Sequence, residues 1–431
     1  MLQVLGGSWA LFLGLTLLML GNGMQGTLLG IRGGLEGFST FEMSIVMSAY
    51  FVGFLGGSRL APEMIRRVGH VRVFAALGSF VSATLILFPA LTDPWAWALL
   101  RVVIGFCFSG VYVTAESWLN NSVDNSNRGK ALSLYVIVQM AGVTAAQGLV
   151  TLGDPAGFIL FIVPSVLVSI SFAPILLSIN PTPAFETTKA LSLAALYRIS
   201  PLGCVGVFLL GGVFSAQFGM AAVYGTEAGL SVGQISAFIS AIYIGGLLLQ
   251  YPIGWISDRM DRRILIMFVS LAGGVAAGVG ALFDSVFAIL MVVSFLVGGL
   301  SNPLYALLLA YTNDYLDSDD MAAASGGLIF INGCGAIAGP IITGWMMGII
   351  GPNGFWMFVA LLMTATGAYA AWRMTRRPAT VSSDDTASYA PLTPVATSVA
   401  VEAAQEYYAE NVEEAGSDAV DETATVPRET P

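Results

Sequence analysis

The apolar residues of this chain form twelve long runs separated by short polar stretches. A helix needs about 20 mostly apolar residues to cross a bilayer core of ~30 Å, and each run is close to that length. Since a backbone surrounded by lipid must satisfy its own hydrogen bonds, we expect every run to be a helix. The predicted spans are residues 8–30, 43–61, 71–91, 96–119, 131–152, 157–179, 201–224, 233–257, 264–283, 286–313, 321–349 and 354–373.

One polar interruption, at residues 180–200, divides this pattern into two halves. It contains Pro181 and Pro183, and we interpret it as a linker between a first half at residues 1–179 and a second half at 201–373. Residues 374–431 are rich in Ser, Thr, Ala, Pro and Glu and show no apolar periodicity. This composition predicts a disordered acidic tail, because such a segment cannot bury a core.

Charged residues support a membrane location for everything before the tail. Only 10% of the chain is charged, whereas soluble domains contain about 25%. Residues 379–431 hold eleven acids and one base, so the net charge of −10 belongs to this segment and the rest of the chain is neutral. The acidic balance therefore says nothing about the partners of the spanning helices, and we expect no nucleic-acid partner.

The orientation follows from Lys and Arg in the short loops, which accumulate on the cytoplasmic side. If the N-terminus is cytoplasmic, the inside loops hold fourteen basic residues and the outside loops hold only Arg32. We therefore expect a multi-pass protein of the inner membrane with both termini and the 180–200 linker in the cytoplasm. The inside residues are Arg59, Arg66, Arg67, Arg72, Arg128, Lys130, Lys189, Arg198, Arg259, Arg262, Arg263, Arg373, Arg376 and Arg377.

The two halves repeat each other at an offset of 192 to 193 residues. The repeat aligns polar residues as well as glycines, which chance explains less easily. A parallel repeat of six plus six helices is a known transporter plan that places the binding site between the halves. The aligned pairs include Gln25 with Gln217, Gly53 with Gly245, Arg67 with Arg259, Gly105 with Gly298 and Tyr112 with Tyr305.

The loop after the eighth run carries a recognisable motif. Residues 254–263 read Gly-Trp-Ile-Ser-Asp-Arg-Met-Asp-Arg-Arg, which resembles the signature of the major facilitator superfamily. Asp261 stands where glycine is usual, and the first-half copy is eroded, with Arg66 in the aspartate position. Arg101 and Gly105 resemble the Arg-x-x-x-Gly element of the fourth span. The resemblance implies an all-α fold of twelve helices in two halves related by a pseudo-twofold axis.

The charges near the cytoplasmic ends are candidates for a gate. Asp258 can pair with Arg259 or a neighbouring arginine in one conformation and release it in another; the competing interpretation is that the arginines only set the topology. In sugar porters of the superfamily that this chain resembles, a glutamate and an arginine at the positions of Glu116 and Arg128 form an inner gate. Two other roles for Glu116 stay open, as a proton-coupling group or as a passive interfacial charge. The predicted gating residues are Arg67, Glu116, Arg128, Asp258, Arg259, Arg262 and Arg263.

The resemblance implies that spans one, four, seven and ten line a central cavity. Polar side chains are costly in lipid, so those in these spans should face the interior; hydrogen bonding between helices is an equal competitor for each of them. Arg101 either meets a substrate anion or braces helices. The predicted substrate-binding residues are Asn22, Gln25, Tyr112, Phe214, Gln217, Asn302 and Tyr305.

These features favour a secondary transporter that works by alternating access. Spans one and seven lack the mid-span acid that pumps for cationic drugs usually need, so we expect a neutral or weakly anionic solute able to stack, such as riboflavin, another vitamin, a nucleoside or a sugar. The alternatives are a sensor, an assembly or pigment-delivery factor, and drug or metabolite efflux.

The sequence offers little for catalysis or for metal binding. A phosphate-binding loop and a Ser/His/Asp set are missing, so we expect no enzyme activity and no cofactor. The cysteines Cys107, Cys204 and Cys334 are scattered and His70 stands alone, so we expect no metal site. The expected partners are a small-molecule substrate, lipid and, as an open alternative, a coupling proton, with the protein a monomer.

Overall fold

The computed structural model describes residues 8–121, 123, 127–177, 191–316, 318–376, 389–397, 399–401 and 404. Long helices joined by short turns dominate these residues, and no strand occurs among them. The helices are α1 Trp9–Leu35, α2 Thr40–Val68, α3 His70–Leu87, α4 Pro94–Asn121, α5 Arg128–Val150, α6 Ile159–Leu177, α7 Pro201–Glu227, α8 Val232–Ser257, α9 Arg262–Leu282, α10 Phe287–Asn313, α11 Ser318–Ile350 and α12 Gly354–Arg376.

Eleven of these helices are long and apolar enough to cross a membrane, counted over the described residues. In α6 the apolar stretch is shorter, at Ile159–Pro174. Each predicted span coincides with one helix, although most helices extend beyond the predicted bounds. A short helix, Leu193–Ile199, lies within the predicted linker, and residues 180–190 of that linker are outside the described part of the chain.

The turns show that the two halves share their local structure. Ser39 begins α2 with a capping box in which its side chain and that of Glu42 bond each other's backbone, and Ser231 begins α8 in the same way with Gln234. Both caps follow a glycine of positive φ, Gly37 at 77° and Gly229 at 71°. The structure thus reproduces the sequence repeat at its offset of 192.

The tightest packing within each half occurs where two helices cross at glycines. A methyl group on Gly53 would lie 1.9 Å from the carbonyl oxygen of Val102, and one on Gly105 would lie 1.9 Å from that of Tyr50. The second half repeats this crossing of α2 and α4 in α8 and α10, where Gly245 and Gly298 would each meet a carbonyl at 2.0 Å. Glycine is required here because the two backbones touch.

The ends of the bundle differ in how the halves meet. We call the end that carries Arg66, Arg67, Arg262 and Arg263 the basic end, and the other the opposite end. Near the opposite end, α1 contacts α7 and α2 contacts α11. A methyl on Gly30 would lie 2.5 Å from the Cβ of Ala222, and one on Gly344 would lie 2.3 Å from that of Ser44. The halves are therefore sealed against each other at the opposite end.

The basic end contains a segment that the sequence did not place there. Residues 389–397 and 399–401 lie between the halves, with Ala390 and Thr397 both at 0% exposure. This differs from the expected disordered tail at 374–431: small apolar and hydroxyl side chains let these residues fit a narrow space despite their lack of periodicity. The acidic remainder of the tail, apart from Ala404, lies outside the described residues.

We expect Gly105→Ala to destabilise the fold. The new methyl group would overlap the Tyr50 carbonyl, and overpacking of this kind costs typically 1–3 kcal/mol. The measurement is the melting temperature of the purified protein in detergent. Gly278→Ala is the matched control, because nothing lies within 4 Å of a methyl group there. Equal melting temperatures for both variants would contradict the close crossing.

Candidate substrate site

In the first half, the polar side chains form one buried network. The three-residue spacing of Asn22 and Gln25 puts them on one face of α1. The Asn22 amide donates to the Tyr112 hydroxyl at 2.8 Å, and the Gln25 amide donates to the Asn22 oxygen at 3.2 Å. Arg101 of α4 completes the network by donating from Nη1 to the Gln25 oxygen at 2.9 Å.

Arg101 is an unusual member of this network because it is a fully buried cation. Its guanidinium stands 4.7 Å from the centre of the Tyr50 ring, and a second nitrogen approaches the Met47 sulfur at 3.5 Å. Its Nε has no hydrogen-bond partner, and none of the ion pairs found among the described residues includes Arg101. A buried charge without a counter-charge is costly, so this position can accept an electron-rich group.

In the second half, the polar side chains bond mainly to their own helices or to a close neighbour. Gln217 exchanges hydrogen bonds with Ser301 of α10, at 3.0 and 3.3 Å. Asn302 donates to the Gly298 carbonyl one turn earlier, at 2.9 Å. Tyr305 is completely buried, and its hydroxyl has no hydrogen-bond partner. Such a hydroxyl is available to a bound molecule.

Gln217 and Phe218 lie in an irregular turn of α7. Residues Ala216–Met220 form a π-helical turn between the α-helical parts of this span. Single π-turns occur often at functional sites, because the wider turn redirects side chains. A Cβ on Gly26 of α1 would stand 3.8 Å from the Phe218 carbonyl, so Gln25 and Gln217 lie at the same level of two adjacent helices. They do not bond each other; each is held within its own half.

Aromatic rings connect the two halves beside these networks. Tyr50 and Phe51 come from α2, and Phe214 and Phe218 come from α7. The ring centroids of Tyr50 and Phe218 are 5.4 Å apart, and those of Phe51 and Phe214 are 6.3 Å apart. Phe214 and Phe218 stack at 5.8 Å. Tyr50, the ring beside Arg101, is thus in contact with an aromatic ring of the second half.

The motif that resembles the superfamily signature forms contacts within the second half. Arg262, almost fully buried, pairs closely with Asp314 at the end of α10 and lies 4.0 Å from Asp258. Arg263 pairs with Asp261 at 2.6 Å. Burial raises the pKa of Asp314, whereas hydrogen bonds from Arg263 outweigh burial and lower that of Asp261. Arg262 therefore joins the α8–α9 turn to α10.

Two members of this motif have other contacts. Arg259 donates to the Trp255 carbonyl at 2.9 Å and stands over its ring, so it does not pair with Asp258. Asp258 accepts a hydrogen bond from the backbone N–H of Tyr389 at 2.7 Å. Burial raises its pKa, although the Tyr389 bond and the nearby arginines oppose that shift. The expected pairing of Asp258 with an arginine survives only as the long contact to Arg262.

The remaining predicted gating residues separate into two places. Arg67 pairs with Glu63 of its own helix at 2.6 Å and is largely exposed. Glu116 is buried, accepts a hydrogen bond from the Tyr135 hydroxyl at 2.7 Å, and is bonded by Thr397 of the tail. Arg128 lines the same small cavity as Glu116. Glu116 and Arg128 are thus neighbours, and their gating role stays a prediction.

Sequence reasoning missed several residues of this region. Asp314 is the direct partner of Arg262, and Ser301 is that of Gln217. Neither carries a sequence signal that distinguishes it from the other polar residues of the helices. Tyr50 and Phe51 are in α2, which the predicted cavity lining did not include. The cluster of Tyr50, Phe51 and Phe54 in the middle of α2 could have suggested them.

Comparisons with known proteins identify the family. The profile of the Major Facilitator Superfamily matches residues 11–202 and again 202–404. The chain belongs to this superfamily. It is accordingly a multi-pass inner-membrane transporter for a small molecule, and the two matches meet at residue 202.

Individual relatives of this transporter are distant. It is 25% identical over 354 residues to the uncharacterized MFS-type transporter YcaD of Escherichia fergusonii, covering 80% of this chain and 90% of the relative. YcaD of Salmonella arizonae is 23% identical over 357 residues.

Solved structures share the fold of this transporter. The crystal structure of a D323A mutant of the nucleoside transporter NupG superposes with a TM-score of 0.72 at 18% identity, covering 86% of this chain and 99% of NupG. A second NupG structure gives a TM-score of 0.66 at 17% identity.

We expect Asp314→Asn to destabilise the transporter by about 3 kcal/mol, because breaking a buried ion pair leaves a charge poorly compensated. The check is thermal unfolding in detergent. Asp258→Asn is the matched control: its contact with Arg262 is longer and its side chain is partly exposed, so its melting temperature should stay close to that of the unmodified protein. A larger loss for Asp258→Asn than for Asp314→Asn would contradict this assignment.

Proposed function

We propose that this protein is a secondary transporter for a small neutral or weakly anionic organic solute that carries a ring. The observation that supports the proposal most directly is the position of Arg101, a buried cation without a paired acid, inside an amide and tyrosine network. Such a site suits an electron-rich group, a carbonyl or a weak anion, and repels an organic cation. Hydrogen-bond acceptors on the solute would replace the water that the Arg101 guanidinium lost when it was buried.

The aromatic faces support a planar solute. Phe51, Phe214 and Phe218 stand on both sides of the junction between halves, next to Gln25 and Gln217. Aromatic rings favour stacked or edge-on neighbours at centroid separations of 4.5–7 Å, so they can hold a flat ring. Tyr112, Asn302 and Tyr305 add hydrogen-bonding groups around it. Nucleosides are the first class to test, since NupG, a nucleoside transporter, has the same fold; riboflavin and sugars are the next.

For the arrangement in the membrane, we propose twelve spans, with α6 completing the first half, and the basic end in the cytoplasm. Fourteen basic residues on one side against Arg32 on the other support this orientation. The seal between α1 and α7 and between α2 and α11 would then face the outside. The described conformation corresponds to an inward-facing state of an alternating-access cycle.

A thermal-shift screen of purified protein tests the substrate class. A solute that binds the folded protein raises its melting temperature, by an amount that grows with concentration. We expect shifts from nucleosides such as uridine, and we expect uptake of labelled uridine into proteoliposomes. Shifts caused by organic cations alone, with none from nucleosides, riboflavin or sugars, would overturn the proposal.

We expect Gln217→Ala to raise the KM for the identified solute up to about tenfold, since a lost hydrogen bond costs roughly 0.5–1.5 kcal/mol. The check is initial uptake rate against solute concentration, normalised to transporter abundance. Gln25→Ala should act in the same direction and lower stability as well, because Arg101 loses its acceptor.

Gln147→Ala is the matched control for both variants. This buried glutamine of α5 bonds Thr27 and the Gly23 carbonyl, away from the junction of the halves. Its loss should lower abundance with KM unchanged. If Gln217→Ala also leaves KM unchanged, the substrate does not contact Gln217.

A further inference from the structure

The tail segment, residues 389–397 and 399–401, occupies the space between the two halves at the basic end. It begins beside the end of α8, where a methyl on Gly254 would lie 2.5 Å from the Tyr389 ring. Tyr389 and Pro391 also line a cavity of about 540 Å³ between α5 and α8. The described part of the segment then continues inward to Glu116 of α4.

The segment is bound by polar groups from both halves. From the second half, Asp258 accepts from the Tyr389 N–H at 2.7 Å, and the Asn332 amide donates to the Pro394 carbonyl at 2.9 Å. From the first half, Gln139 accepts from the Thr393 hydroxyl at 3.1 Å. The tail thus bridges α8 and α11 to α5.

The innermost contact is with Glu116. Its carboxyl group accepts from both the backbone N–H of Thr397, at 3.2 Å, and the Thr397 hydroxyl. Glu116 lies four residues after Tyr112, which is one helical turn, so this contact is next to the substrate network.

We propose that the cleft between the halves at the basic end is a binding site for the chain's own C-terminal segment, and that this segment is a tethered inhibitor of transport. Main-chain groups and two threonine hydroxyls supply its polar contacts, while Ala390, Leu392 and Ala400 fill the space between them. A segment bonded to both halves opposes their relative movement, which alternating access requires. It also covers the path from the basic end to Tyr112. Transport would therefore need the segment to leave.

The first experiment measures binding without any transport substrate. The chain is truncated after Arg377, purified in detergent and titrated with a fluorescent synthetic peptide of residues 389–404. We expect saturable binding by fluorescence anisotropy. A Thr397→Val peptide should bind about tenfold more weakly or worse, because it loses the hydroxyl bond to Glu116, and a Thr397→Ser peptide should bind like the original.

The second experiment locates the segment in the full-length chain. The chain is first freed of its cysteines by replacing Cys107, Cys204 and Cys334 with alanine. A single new cysteine, Gln139→Cys, then reports access to the cleft between the halves by its rate of maleimide labelling. We expect several-fold faster labelling after truncation at Arg377. Arg66→Cys, on the exposed part of α2, is the control and should label equally fast in both chains.

These outcomes separate this proposal from the proposed substrate class. Peptide binding and faster Gln139→Cys labelling would support the inhibitor site even if nucleosides are not transported. Once a solute is identified, the truncated chain should take it up faster than the full-length chain, and added peptide should reverse that gain. No saturable binding, equal binding of a scrambled peptide, or uptake unchanged by truncation would overturn the proposal.

Discussion

The structure depends on one constraint: a polar side chain within a span must find its partner inside the protein, because lipid supplies none. Asn22, Gln25, Tyr112 and Arg101 satisfy it by bonding to one another across α1 and α4. Even so, the guanidinium remains incompletely paired. The hydrogen-bonding capacity that the Arg101 guanidinium has left makes the site suited to a hydrogen-bond acceptor.

The lipid surroundings also explain how the helices of each half hold together. Helices in lipid gain little from the hydrophobic effect and associate through close packing. The glycine crossings of α2 with α4 and of α8 with α10 bring backbones into contact, and Arg262 with Asp314 adds an ionic link in the second half. Each half is a tightly packed unit, whereas aromatic rings and the tail segment lie at the junction between them.

The sequence predicted the helices well because twelve apolar runs leave few other solutions. It also predicted equivalent places for Gln25 and Gln217, since the repeat aligns them. It could not predict their partners: which hydroxyl or carboxylate meets Gln217 or Arg262 depends on the rotation of neighbouring helices, and one sequence does not contain that information. The roles of the predicted site and gating residues remain predictions.

The tail shows a different limit of sequence reasoning. Its composition indicates that it cannot form a core of its own, because it has too few large apolar side chains to bury. Most of the described residues between 389 and 401 are nonetheless buried, because they occupy a cleft that other helices build. Amphipathic periodicity cannot reveal such a segment, because residues 389–397 form irregular chain with a turn at 394–395 and no long helix with a single buried face. Its prolines, small side chains and threonines are compatible with that location but do not indicate it.

The seal at the opposite end has a consequence for the energetics of opening. Its described contacts include glycines against small side chains, at Gly30 with Ala222 and Gly344 with Ser44. Two hydrogen bonds accompany them, from the Thr40 hydroxyl to Glu227 at 3.2 Å and from the Ser48 hydroxyl to the Ile337 carbonyl at 2.6 Å. Arg32, the basic residue nearest to it, pairs with Glu36 of its own half. Separating these surfaces breaks dispersion contacts and exposes little charge. Dissolved salt, which screens ionic attraction, should therefore leave the opening equilibrium at this end almost unchanged.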